Sequence, residues 1–198
     1  MISALFSSAA TSLLLLPLLA VPAKAQEPPP LRVFLRAGEK THGPGQHDHP
    51  RFLAEWTELL EERGAQVEGA LRFPTEDELA RADVLVMYAA EAGTIRGEER
   101  RYFEAFLEDG GGLVVVHDAV CGEEPGWFQE WAGGAWEHGV AKWLEGKIGL
   151  YFDHEPHPIT RGIPHFDLED EIYYEMHVDE KARVLASSFQ DLLRSTAH

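Results

Sequence analysis

The chain has 198 residues, with 34 acidic side chains against 17 Lys or Arg, a formal charge of −17, ten histidines and one cysteine. A field of that sign excludes a nucleic-acid backbone or an anionic membrane surface as partner, although much of the acidity also serves as ordinary solvated surface. Cys121 stands alone, so no internal disulfide can form and the fold must rest on its core.

Leu13 to Leu16, Leu18 and Leu19 form an apolar run too short to span a bilayer comfortably. Ala23-Lys24-Ala25 then offers a signal-peptidase site. Residues 1–25 therefore read as a signal peptide and residues 26–30 as a polar leader, which makes the protein an exported one. No Lys or Arg precedes the run, and an uncleaved membrane anchor is the competing reading. About 170 residues remain, enough for one domain over 31–198.

Residues 31–35 read as the first strand, followed by a loop rich in Gly, Pro and His. From Pro50, the apolar residues Phe52, Leu53, Trp56, Leu59 and Leu60 recur at helical spacing, with Gly64 placed to end the helix. Residues 67–71 give a weaker strand. Thr75-Glu76-Asp77-Glu78 is a capping-box sequence that opens a short helix. Residues 84–88 form the third strand, 97–109 a helix stopped by Gly110-Gly111-Gly112, and 113–116 the fourth and most apolar strand.

Strand and helix alternate, and the third and fourth strands are apolar throughout, as in strands covered on both faces. The predicted fold class is α/β, a doubly wound, mostly parallel sheet. Beyond residue 120 the pattern predicts a helical turn over 127–131 and strands over 147–152 and 184–186.

In such sheets, ligands bind outside the carboxyl ends of the strands. The loop after the first strand carries His42, His47, Asp48 and His49. The third strand is followed by Glu91, and the fourth by His117 and Asp118. Trp136, Glu137 and His138 lie farther on, as do His154 and His157. Imidazole and carboxylate together suit zinc or manganese, and they equally suit acid–base work or a sugar pocket that holds no ion. His117, Asp118 and Glu91 are the candidate catalytic residues, and His47, His49, His117 and His138 the candidate metal ligands. His42, Trp136 and Glu137 are candidates for substrate contact. If one site is formed, His47 or His49 should approach His117 within about 10 Å, and Glu137 with His138 should close the same pocket. His117 stands where a nucleophile elbow would place Ser or Cys, which argues against acyl-enzyme chemistry. Cys121 reads as a small buried residue, and core packing is the expected role for most of Trp127, Trp131, Trp136 and Trp143.

Residues 110–117, Gly133-Gly134-Ala135-Trp136-Glu137-His138, His157-Pro158-Ile159-Thr160-Arg161-Gly162-Ile163-Pro164 and Asp170-Glu171-Ile172-Tyr173 together resemble the ThuA-like trehalose-utilisation domain, over roughly residues 31–187. The resemblance implies a fold like that of class I glutamine amidotransferases, with histidine in place of their elbow cysteine. It also implies a part in disaccharide or glycoside utilisation, on substrates such as 3-keto sugars supplied by a partner oxidoreductase. Family members usually run on to a further Gly-Arg-Val-Phe-like strand, whereas this sequence stops at His198, so a truncated product is expected. Two functions compete: an enzyme on modified glycosides, metal-assisted as hydrolase or lyase, and a non-catalytic carbohydrate-binding or scaffold module. Oligomeric state is not legible.

Overall fold

The computed structural model describes residues 28–153 and 157–190. The expected signal peptide and the eight C-terminal residues lie outside that range, as does His154. Four strands, β1 (Arg32–Ala37), β2 (Gln66–Ala70), β3 (Val84–Tyr88) and β4 (Gly112–Val115), form one parallel sheet in the order β2-β1-β3-β4. All three pairings are parallel. This is the doubly wound order in which strand succession reverses between β1 and β3, the place where such sheets open a crevice.

Helix α1 (His49–Glu61) begins at Asp48, whose side chain accepts from the Arg51 amide at 3.3 Å, with Pro50 in the first turn. Gly64, at φ 88°, turns the chain into β2. Helix α2 (Glu76–Arg81) carries the capping box in full: the Glu78 amide donates to Thr75 Oγ1 at 3.3 Å and the Thr75 amide donates to Glu78 Oε2 at 2.7 Å. Helix α3 (Gly97–Glu108) precedes β4, and α4 (Pro125–Ala132) follows it.

Alternate residues of the strands supply two cores. Phe34, Leu85 and Met87 pack with Phe73, Leu79, Phe103 and Phe128 beneath α2, α3 and α4. On the opposite face, Val33, Leu35 and Val86 pack with Phe52 of α1. Each such side chain, fully buried, contributes about 1.5–3 kcal/mol.

The expectation that β4 is covered on both faces does not hold. It is an edge strand of the parallel sheet, and Val114 is 46 % exposed. The late strands also depart from expectation. After β5 (Gly134–Ala135), the segment expected over 147–152 belongs to an eleven-residue strand, β6 (Lys142–Phe152). It pairs antiparallel with β7 (Phe166–Tyr174) and, beyond β8 (His177–Val178), with β9 (Ala186–Gln190). This three-stranded sheet is separate from the parallel one.

Two surface pairs set an acid limit on stability. The Arg72 guanidinium holds Glu78 down to about 2, and Arg32 holds Asp83 down to about 2. Depressed carboxyls stabilise the fold fully above their unfolded values, near 4.5 and 3.8 in these cases, and the contribution fades as pH falls towards 2. Thermal unfolding should therefore show a falling midpoint between about pH 4.5 and 2 that is smaller in Arg72→Met.

Close backbone contact joins the loops after β3 and β4. The Gly93 amide donates to the Cys121 carbonyl at 2.8 Å, and a Cβ built on Gly122 would stand 2.5 Å from the Gly93 carbonyl carbon. Backbone cannot yield as a flexible side chain does. Gly122→Ala should destabilise the fold by about 1–3 kcal/mol, measured by urea titration.

Candidate metal and carbohydrate site

Three strand ends and the antiparallel sheet converge on a cavity of about 960 Å³. The loop after β1 brings His42 and His47, the loop after β3 brings Glu91, and the end of β4 brings His117 and Asp118. From the other side come Trp143 and Glu145 of β6 and Glu169, Asp170, Glu171 and Tyr173 of β7. The register sets Glu145 opposite Glu171 and Trp143 opposite Tyr173, so alternate residues of both strands share one face.

Local backbone is strained where the site is built. His47, Glu91 and His117 have φ of 41°, 55° and 49°, three of the four non-glycine residues in the left-handed region among the described residues. Such conformations are costly for residues with a Cβ and cluster at functional sites. His117 begins the short 3-10 turn His117–Val120 that follows β4, and its left-handed turn projects the ring at the top of the sheet.

Three nitrogen and oxygen atoms meet at the centre. His47 Nε2 lies 3.2 Å from His117 Nε2 and 3.3 Å from Glu171 Oε2, and the latter two atoms are 3.2 Å apart. Ligand atoms bound at about 2.0–2.1 Å around a tetrahedral ion stand about 3.3–3.4 Å apart, so the trio has the spacing of three sites on zinc with a fourth left open. Two imidazoles and a carboxylate are also a suitable donor set for that ion.

A second layer fixes the first. His47 Nδ1 is 3.0 Å from Asp118 Oδ2, so Nδ1–H donates to the carboxylate and Nε2 keeps its lone pair for the centre. His49 Nε2 is 2.9 Å from the same oxygen, and its Nδ1 is 3.0 Å from the Glu39 carbonyl. Both partners of His49 are oxygen atoms, and the fully buried ring lies against the buried Asp118 carboxylate. His47, His49 and Asp118 form another donor trio. Its contacts are those of hydrogen bonds, and it supports the centre from behind.

Aromatic rings complete the wall. Tyr173 stacks on His117 with ring centroids 4.5 Å apart, and Trp136 lies 4.5 Å from Tyr173. Burial, aided by Glu171, pushes the Tyr173 hydroxyl well above its ordinary range. Burial likewise pushes the Cys121 thiol up to about 12, with Glu91, Asp118 and Glu171 adding to it. A thiol held protonated is a poor nucleophile, in keeping with the expectation that Cys121 is a small buried residue.

The sequence-predicted residues thus divide. The structure brings together His47 and His117, with His42 beside them, its ring 4.0 Å from that of His47. It sets His49 and Asp118 behind the centre. His138, expected to share a metal with His47, His49 and His117, is instead at the mouth, donating to Glu91 with Nε2 2.9 Å from Oε1. Trp136 and His138 line the cavity as expected, whereas Glu137 does not: its Oε2 is 2.5 Å from His177 Nε2 on β8. Asp48 caps α1.

The sequence motif Asp170-Glu171-Ile172-Tyr173 carries the family resemblance, but Glu171 and Tyr173 are not among the candidate site residues drawn from the sequence. Glu171 and Tyr173 sit inside an antiparallel strand, where a search of parallel-strand ends does not reach. The signal available was the alternation of Glu169, Glu171 and Tyr173 on one strand face.

The fold and site define a doubly wound α/β protein with a histidine–carboxylate cluster at the switch point of its parallel sheet. The family model for ThuA, trehalose utilisation, matches residues 33–195, and the chain belongs to that family. Among solved structures it is similar to a ThuA-like protein from Bacteroides uniformis ATCC 8492, with 21 % identity and a TM-score of 0.61, covering 78 % of this chain. The aligned part spans 64 % of that protein's chain. This likeness bears on the fold alone. No curated protein matches the sequence.

Proposed function

We propose that this ThuA-family chain is an exported, metal-assisted enzyme of carbohydrate utilisation, acting on a disaccharide or related glycoside such as a 3-keto-glycoside supplied by a partner oxidoreductase. The observation that carries the metal reading is the mutual 3.2–3.3 Å spacing of His47 Nε2, His117 Nε2 and Glu171 Oε2. Family membership supports the carbohydrate, and the N-terminal apolar run with Ala23-Lys24-Ala25 supports export.

His47, His117 and Glu171 would hold zinc or manganese, which supplies Lewis-acid polarisation of a bound oxygen. Asp118 orients His47, and His49 holds Asp118. Tyr173, backed by the buried Trp136, lines the cavity beside His117, while Glu91, paired with His138 at the mouth, is the carboxylate placed to exchange a proton with a ligand. Among the described residues no Lys or Arg lines the cavity, and six carboxylates do, so an uncharged sugar suits it better than a phosphorylated one.

The test is turnover of 3-keto-glycosides by the chelated and the zinc- or manganese-restored protein. Activity lost on chelation and regained with metal is the expected result. Sugar binding without turnover in both forms would assign the chain to the competing class, a carbohydrate-binding module.

A further inference from the structure

Resting on that reading, we propose that Trp56 of α1 and Trp143 of β6 form a distal subsite for the apolar face of a second, uncharged pyranose ring, beyond the ring held at His47, His117 and Glu171. Three observations point there. The cavity, about 960 Å³, lies at the upper end of the ~300–1,000 Å³ that accommodates drug-sized ligands, more than one hexose fills. Trp56 and Trp143 both line it, and they remain 37 % and 55 % exposed, so neither indole is used up in core packing. The helical pattern that placed Trp56 among core positions is thus only half fulfilled: Phe52, four residues earlier, is buried and stands 4.8 Å from the Trp56 ring as its backing.

A backed, exposed indole is a preorganised stacking surface, since its ring is already ordered before the ligand arrives. The end of the cavity at His47, His117 and Glu171 has its own ring in Tyr173, backed by the buried Trp136, so the indoles of α1 and β6 are left for a different ring. Glu145 and Glu169, which share the Trp143 face of the antiparallel sheet, supply acceptors for its hydroxyl groups.

The experiment uses the full chain loaded with zinc, with calorimetric titration of α,α-trehalose and of D-glucose, and a separate zinc titration of each variant. The wild type should bind trehalose at least about tenfold more tightly than glucose. Trp56→Ala should lose most of that ratio while its glucose and zinc affinities stay within about twofold, and Trp56→Phe should keep most of it. Trp143→Ala should act like Trp56→Ala. Equal affinities in the wild type, or a ratio preserved in both alanine variants, overturns the subsite. So does an absence of trehalose binding, and zinc uptake by that same sample shows that the metal reading stands without it. A chain that takes up no zinc yet keeps the trehalose ratio contradicts the metal reading and leaves the subsite intact. Trp56→Phe guards against loss through misfolding, since it preserves the packing on Phe52.

Discussion

Glu171→Gln should lower zinc affinity by more than about 100-fold while leaving the fold in place, and His117→Ala should do the same. Each removes one of three donors whose atoms stand 3.2–3.3 Å apart. With two donors left, no closed protein set remains for the ion, and the loss should exceed the ~10–100-fold typical of a supporting residue. Among the described residues the Glu171 side chain pairs with no Lys or Arg and lies against His47 and His117, while its amide donates to the Asp170 side chain. Its substitution therefore separates the metal function from stability. Isothermal titration with zinc reads the affinity, and thermal melting of the metal-free protein reads the fold.

Asp118→Asn should affect both quantities. Asp118 Oδ2 accepts from His47 Nδ1 at 3.0 Å and from His49 Nε2 at 2.9 Å, inside a site where His49 is wholly buried and Asp118 nearly so. Without the carboxylate, the buried His49 Nε2 loses its oxygen partner or shares an amide with His47, at a cost of about 1–3 kcal/mol. His47 at the same time loses the group that fixes its tautomer, for a further ~10–100-fold in zinc affinity. Urea unfolding and zinc titration, both of the metal-free chain, read the two effects. A variant as stable as the parent, with unchanged zinc affinity, would show that Asp118 neither orients His47 nor balances His49.

Much of this fold is legible because its early elements carry redundant signals. The capping box at Thr75 and Glu78 sets the start of α2, continuous apolarity marks β3 at Val84–Tyr88, and the Phe52–Leu60 period with Gly64 bounds α1. The parallel order then delivers His47, Glu91 and His117 to one crevice by topology alone. Apolarity misleads at β4, because Leu113 and Val115 pack on the core while Val114 faces outward from an edge strand. Apolar content reports what a strand is made of, not whether a neighbour covers it.

The antiparallel sheet is harder to read. β7 runs Phe-Asp-Leu-Glu-Asp-Glu-Ile-Tyr-Tyr, and its charges blur the alternation that would mark a strand with one wet face. Glu171 stands in a motif of the sequence, but its place beside His47 and His117 emerges once β7 is paired with β6 and laid against the parallel-strand ends. The division of histidines into ligand and support is also tertiary. His47 and His49 lie two residues apart in sequence, but His49 is the first residue of α1 and points to the buried Asp118 and the Glu39 carbonyl, while His47, in its left-handed turn, reaches the cavity.

The proposed metal centre is tested most directly by anomalous diffraction at the zinc edge from crystals of the chain soaked in zinc. The predicted result is a peak about 2.0–2.1 Å from His47 Nε2, His117 Nε2 and a Glu171 carboxylate oxygen. A peak between His138 and Glu91 or at an exposed surface histidine instead, or no peak at the trio under saturating zinc, would contradict it.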